Sequence, residues 1–178
     1  MPRVLITGGP GAGKTTILAE LAARGYITYG DSARQIIAER RSQGLSARPE
    51  PRVFAMQILH EDIKNYESAK PDGNLVFYER GVIDALGMAQ ESAAMPVLDL
   101  TNLIAKFVYH PVAFVLPPWE SIYVQDNERD QSFAESVFIY SQVLRWYAKC
   151  GYAVHEVPKT AVHERADYVL QVATEGAA

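Results

Sequence analysis

The chain has 178 residues, of which 48% are hydrophobic and 21% charged, with a formal net charge of −4. That is the balance of one soluble domain, long enough to bury roughly 70% of the surface its unfolded chain would expose without a metal or disulfide staple. The acidic balance excludes a general pull toward nucleic acid or an anionic membrane, and the single cysteine, Cys150, excludes an intrachain disulfide and a cysteine metal cluster. No apolar run approaches the length of a bilayer span, and the N-terminus enters a strand-like run without the pattern of a secretory signal, so the expectation is a cytoplasmic protein with no membrane partner.

Taken in chain order, apolar runs of strand length alternate with longer segments of helical period. RVLIT (3–7) predicts a first strand and KTTILAELAARG (14–25) a helix stopped at glycine. YITYG (26–30) predicts a second strand, with a helix over about 31–43 capped by Asp31 or Ser32. LSARPEPR (45–52) reads as a proline-interrupted loop, VFAMQILHEDIKNYESA (53–69) as an amphipathic core helix, PDGN (71–74) as a turn and LVFYE (75–79) as a buried third strand. A short helix over GVIDALGMAQESA and another over 98–109 precede a fourth strand, PVAFVLPP (111–118). Residues 119–131, WESIYVQDNERDQ, have no clear period and read as a surface excursion. A long helix (132–151), a fifth strand YAVHEVP (152–158) and a last helix (160–173) complete the chain. Five strands interleaved with helices predict a parallel α/β sheet covered by helices on both faces, with the ligand crevice beyond the carboxyl ends of the strands.

GGPGAGKTT fits the phosphate-loop pattern G-x-x-x-x-G-K-[ST] and stands between a strand and a helix, the setting its mechanism requires. Within the loop Gly8, Gly9, Pro10, Gly11, Ala12 and Gly13, the glycines let backbone N–H groups turn toward phosphate oxygens, and the helix start, with Thr15 and Thr16, adds its positive end. Lys14 is placed to reach the outer phosphates and Thr15 to offer a hydroxyl to Mg²⁺. Glu79 closes the third strand, where an acid can hold the metal's water shell, and Arg80 follows it. Asp84, one turn later, is placed to orient Arg80 or to face the acceptor, with a solvated helix position as the alternative.

Asp31 ends the second strand, where an acceptor hydroxyl would need a general base; it is equally a good helix cap, and the two roles are compatible. Arg34 is placed to clamp an anionic acceptor. The segment 118–131 occupies the place of a mobile lid, with Arg129 as the cation that closes on the transferring phosphoryl, a role worth roughly 10³ to 10⁵ in rate. Lys159, after the fifth strand, is placed to line a purine ring. His60, His110, His155 and His163 show no metal-ligand spacing.

On LITGGPGAGKTTIL, DSARQII, FYERGVIDALGMA and PPWESIYVQDNERDQSF with VPKTAVHERADYVL, the chain resembles the small AAA-type ATPases of the P-loop kinase group. These are relatives of the nicotinamide riboside kinase domain of bacterial NAD regulators and of nucleoside and nucleotide kinases. The resemblance spans nearly the whole chain and implies ATP and Mg²⁺ binding, a nucleoside-monophosphate-kinase-like fold and phosphoryl transfer to a small molecule. Family members commonly carry aspartate where this chain has Glu79, and glutamate where it has Asp31. The leading expectation is therefore one P-loop kinase-like domain over 1–178 that binds a nucleotide and a small-molecule acceptor. The rival is a nucleotide-binding or hydrolysing regulatory module that acts through a protein partner. The chain lacks the N-K-x-D motif of GTPases and the serine-glycine signature of transporter ATPases, and has no basic stripe for nucleic acid.

Overall fold

In the computed structural model, residues 2–69, 73–123 and 132–175 are described. The chain divides into two compact units, one formed by residues 1–30, 71–79 and 109–178 and the other by residues 31–70 and 80–108.

The first unit holds a five-stranded parallel sheet in the order β2-β3-β1-β4-β5, built from β1 (Arg3–Gly8), β2 (Ile27–Tyr29), β3 (Val76–Glu79), β4 (Val112–Leu116) and β5 (Ala153–Glu156). The central strand β1 reads as a continuous apolar run because it is buried on both faces, as parallel strands are. Its register against β3 pairs Ile6 with Glu79, and against β4 pairs Gly8 with Leu116. Val4, Ile6, Phe77, Phe114 and Leu116 form a core with Ile17, Leu18 and Leu21 of α1 (Lys14–Ala23) and Ala166, Val169 and Ala173 of α7 (Val162–Glu175). A third helix, α6 (Phe133–Lys149), contacts β1 and β5 and buries Tyr147 completely. It opens with a reciprocal capping box in which Ser132 and Glu135 satisfy one another's backbone N–H groups.

The second unit is helical. It comprises α2 (Ser32–Ser42), α3 (Pro51–Ser68), α4 (Val82–Glu91) and α5 (Val97–Lys106), with α3 packed on α2 and α4, and α4 on α5. Among the boundaries that differ from the sequence expectation, those of α3 and α5 have a local cause. Helix α3 starts at Pro51 rather than Val53, because proline suits the first helical position and the Glu50 carboxylate accepts from Arg52 and Val53 N–H. Helix α5 stops at Lys106 rather than running to Tyr109, because Phe107 takes non-helical dihedrals and is buried. Among the described residues no helix is long and apolar enough to cross a membrane.

Candidate functional site

The phosphate-loop residues Gly8 to Gly13 join β1 to α1 in the first unit. Gly11 has φ +77 and a Cβ there would run into the Tyr123 ring, so glycine is required on both conformational and steric grounds. Pro10 is held by its carbonyl, which accepts from the Ser136 hydroxyl at 2.7 Å. Helix α1 begins after Gly13 without a side-chain cap, and Thr15 and Thr16 stand in its first turn, at the positive end of the helix.

Lys14 is only 5% exposed, and its ammonium donates to the carbonyls of Gly9 at 2.8 Å and Gly8 at 3.3 Å. The cation is thereby folded over the beginning of the loop. The Thr15 hydroxyl donates to Oε1 of Glu79 at 3.2 Å, and Glu79 is buried at the end of β3. A hydroxyl and a carboxylate side by side are hard oxygen donors of the kind Mg²⁺ selects. Among the described residues no three His, Cys, Asp or Glu cluster as a metal site. A pair of oxygen donors suits an ion that takes most of its shell from phosphate and water oxygens, as Mg²⁺ does. Lys159 lies exposed between β5 and α7, and Arg129 lies outside the described residues.

In the second unit, Asp31 performs two structural tasks at once. Its Oδ1 accepts from the N–H of Ala33 at 2.9 Å and of Arg34 at 3.4 Å, capping α2, while Oδ2 lies 3.4 Å from Nε of Arg80. Arg80 adopts φ +66, an uncommon conformation for a residue with a Cβ, and such outliers gather where a side chain is being aimed. Asp84 is buried in the first turn of α4, and Arg34 is half-buried in the first turn of α2.

Asp62 was not singled out in the sequence. It is 5% exposed on α3, and its Oδ1 accepts from the Ser32 hydroxyl at 2.5 Å, with Asn65 donating to the same hydroxyl at 3.4 Å. Burial pushes its carboxyl up to about 8; the Ser32 hydrogen bond is the main opposing effect, Asp84 and Asp31 add repulsion, and Arg80 opposes least. The signal was present: Phe54, Ala55, Ile58 and Leu59 mark the buried stripe of α3, and Asp62 is the next position on that stripe.

A native carboxyl that stays protonated to about pH 8 while the unfolded chain ionises near 3.8 means that this group's stabilisation is complete below pH 3.8 and lost as pH rises to 8. Asp62→Asn is expected to flatten that decline. In urea unfolding, the variant should gain on the wild type by a few kcal/mol, on the order of 1.4 per pH unit, between pH 5 and 8. A variant whose difference from wild type does not change with pH would show that Asp62 is ionised in the fold.

A parallel sheet of this order, with a glycine loop leading from its central strand into a helix and a buried lysine folded on that loop, defines a P-loop α/β fold of the nucleotide-kinase type. The family model described as "AAA domain" matches residues 3–165, and the chain belongs to that family. No curated protein matches it in sequence. Among solved structures it is similar to deoxyadenosine kinase from M. mycoides with bound dATP, at 13% identity and a TM-score of 0.60, covering 98% of this chain and 100% of that one. It is similar to the NadR protein in complex with NR, at 17% identity and a TM-score of 0.67; the match takes in 97% of this chain and only 52% of that one. A third likeness is to shikimate kinase from Acinetobacter baumannii in complex with shikimate, at 16% identity and a TM-score of 0.59, covering 99% and 95% of the two chains.

Proposed function

We propose that the protein is an ATP- and Mg²⁺-dependent phosphotransferase of the cytoplasm, working as one kinase-like domain on a small-molecule acceptor. The observation that carries this reading is the phosphate loop with Lys14 folded over it and the Thr15–Glu79 oxygen pair behind it. The kinase names of proteins sharing the fold, which include deoxyadenosine, shikimate and thymidylate kinases, support a small acceptor rather than a macromolecule.

In this reading the loop amides, with Lys14, Thr15 and Thr16, hold the phosphates, and Lys14 balances the charge of the outer two. Thr15 and Glu79 would hold Mg²⁺ directly or through its water. Bound Mg²⁺ supplies charge neutralisation on the phosphate oxygens. Asp31 accepts the proton of the acceptor hydroxyl and is oriented for it by Arg80 and by the N–H groups it caps. Arg34 and Asp84 bind the acceptor, Lys159 lines the purine, and Arg129, from the lid over about 118–131, closes on the transferring phosphoryl.

Thr15→Val keeps shape and removes the hydroxyl, while Glu79→Gln removes the charge. Each is expected to raise the Mg²⁺ concentration for half-maximal ATP turnover by about 10-fold or more, read by titrating Mg²⁺ at fixed ATP. An unchanged Mg²⁺ requirement in both variants would take the pair out of the metal site. Transfer itself is read by mass spectrometry of the acceptor, which gains one phosphoryl group as ADP appears.

A further inference from the structure

Arg165, in the first turn of α7, has no place in the reading above. It is 6% exposed, and its Nε and Nη1 are buried with no hydrogen-bond partner among the described residues. Burying an unpaired guanidinium is costly, and the same burial draws its pKa below the ordinary arginine value. The acids beside it on α7 are engaged elsewhere: Glu164 accepts from the N–H of Ala161 at 3.1 Å, and Asp167 pairs with Arg24 at 2.5 Å. What holds the group in place is the Trp119 ring, whose centroid lies 5.5 Å from the guanidinium carbon.

Its position along the phosphate loop gives it a direction. A Cβ added to Gly13 would lie 2.8 Å from Nη1 of Arg165, so the arginine edge touches the last turn of the loop, where only a glycine backbone leaves room. Lys14 folds the opposite way, onto the carbonyls of Gly8 and Gly9. The loop thus carries two buried cations, one at each end. A lone orthophosphate would not need both, whereas a polyphosphate chain lying along the loop meets Lys14 with its outer phosphates and Arg165 with its inner one.

We propose that Arg165 is a nucleotide-binding residue whose guanidinium edge donates to the innermost phosphate of a nucleoside di- or triphosphate, with its face braced by Trp119. The inference rests on the phosphate-loop reading given above and extends it. A planar fork of N–H donors suits a phosphate oxygen, and the bound anion supplies the partner that Nε and Nη1 otherwise lack. The innermost phosphate keeps its charge during transfer of the outermost one. Its contact therefore stabilises ground and transition states alike, and its loss appears in KM rather than in kcat.

The test is calorimetric titration of Mg·ADP into wild type, Arg165→Met, Arg165→Gln and Lys14→Ala, with thermal unfolding of each ligand-free protein. Arg165→Met is expected to weaken ADP by about 10- to 100-fold and to raise KM for ATP by a similar factor with kcat within about 2-fold, the range of a lost charged hydrogen bond. Its ligand-free Tm is expected to equal or exceed that of wild type, because a buried unpaired charge has been removed. Arg165→Gln, which retains a smaller donor, should fall between Met and wild type. Wild-type ADP affinity in a folded Arg165→Met, alongside weakened ADP in Lys14→Ala, would overturn this inference and leave the phosphate-loop reading standing. Wild-type affinity in both would overturn the two together. Lowered ligand-free Tm or loss of fold in both Arg165 variants would make the guanidinium a packing group and also overturn the inference.

Discussion

Replacing Lys14 by alanine is expected to lower ATP turnover by at least about 10²-fold and to weaken ADP binding with it. Removal of one preorganised donor aimed at developing charge costs on the order of 10² to 10³ in rate. Lys14 is stronger than a neutral donor because it is charged, buried and positioned before any ligand arrives, by Gly9 at 2.8 Å and Gly8 at 3.3 Å. Lys14→Met keeps more of the stem's packing and should lose activity to the same degree, since charge and not volume is what the site uses. ADP release and calorimetry check both variants. Wild-type rate and affinity in either one would remove Lys14 from the nucleotide site.

Asp31→Asn is expected to cut kcat by about 10² to 10⁴, the usual contribution of a positioned general base, while ADP affinity stays at the wild-type value. The substitution separates roles that Asp31 combines. An asparagine oxygen can still accept from Ala33 and Arg34 N–H and preserve the cap of α2, but it carries no charge to face Arg80 and takes no proton. Stability should therefore change little in Asp31→Asn, whereas Asp31→Ala should lose about 1 kcal/mol of cap as well. A kcat unchanged in Asp31→Asn, in an assay with a competent acceptor, would return Asp31 to capping and ion pairing alone.

Local chemistry made most of this fold legible. The apolar runs of β1, β3 and β4 and the glycine loop ahead of Lys14 carry their own signals, because a strand buried on both faces and a loop with φ > 0 each restrict residue choice strongly. Pairing order is another matter. Nothing in the run VFYE says that it pairs with both RVLITG and ITY, since apolar strands are interchangeable until helices are packed around them. The start of α3 was hidden by the prolines of PEPR, one of which begins the helix. In the site, Lys14, Thr15 and Glu79 could be read from motif and strand end, and the structure adds their hydrogen bonds. Asp62 carries no motif of its own, and its burial shows only when the apolar stripe of α3 is followed through HED. Arg165 gave no signal at all. In HERAD it is one charge among several, and only tertiary packing beside Gly13 and Trp119 distinguishes it.

The central claim is phosphoryl transfer to a small molecule, and ADP release from Mg·ATP tests it most directly. Purified protein is assayed alone and with pools of nucleosides, sugars, vitamins and small alcohols, with Lys14→Ala as the blank. The account predicts that at least one pool raises ADP release above the basal rate and that Lys14→Ala abolishes the increase. A basal rate that no pool raises, with ATP binding intact, would contradict the transferase reading and point to a nucleotide-binding module that acts through a protein partner.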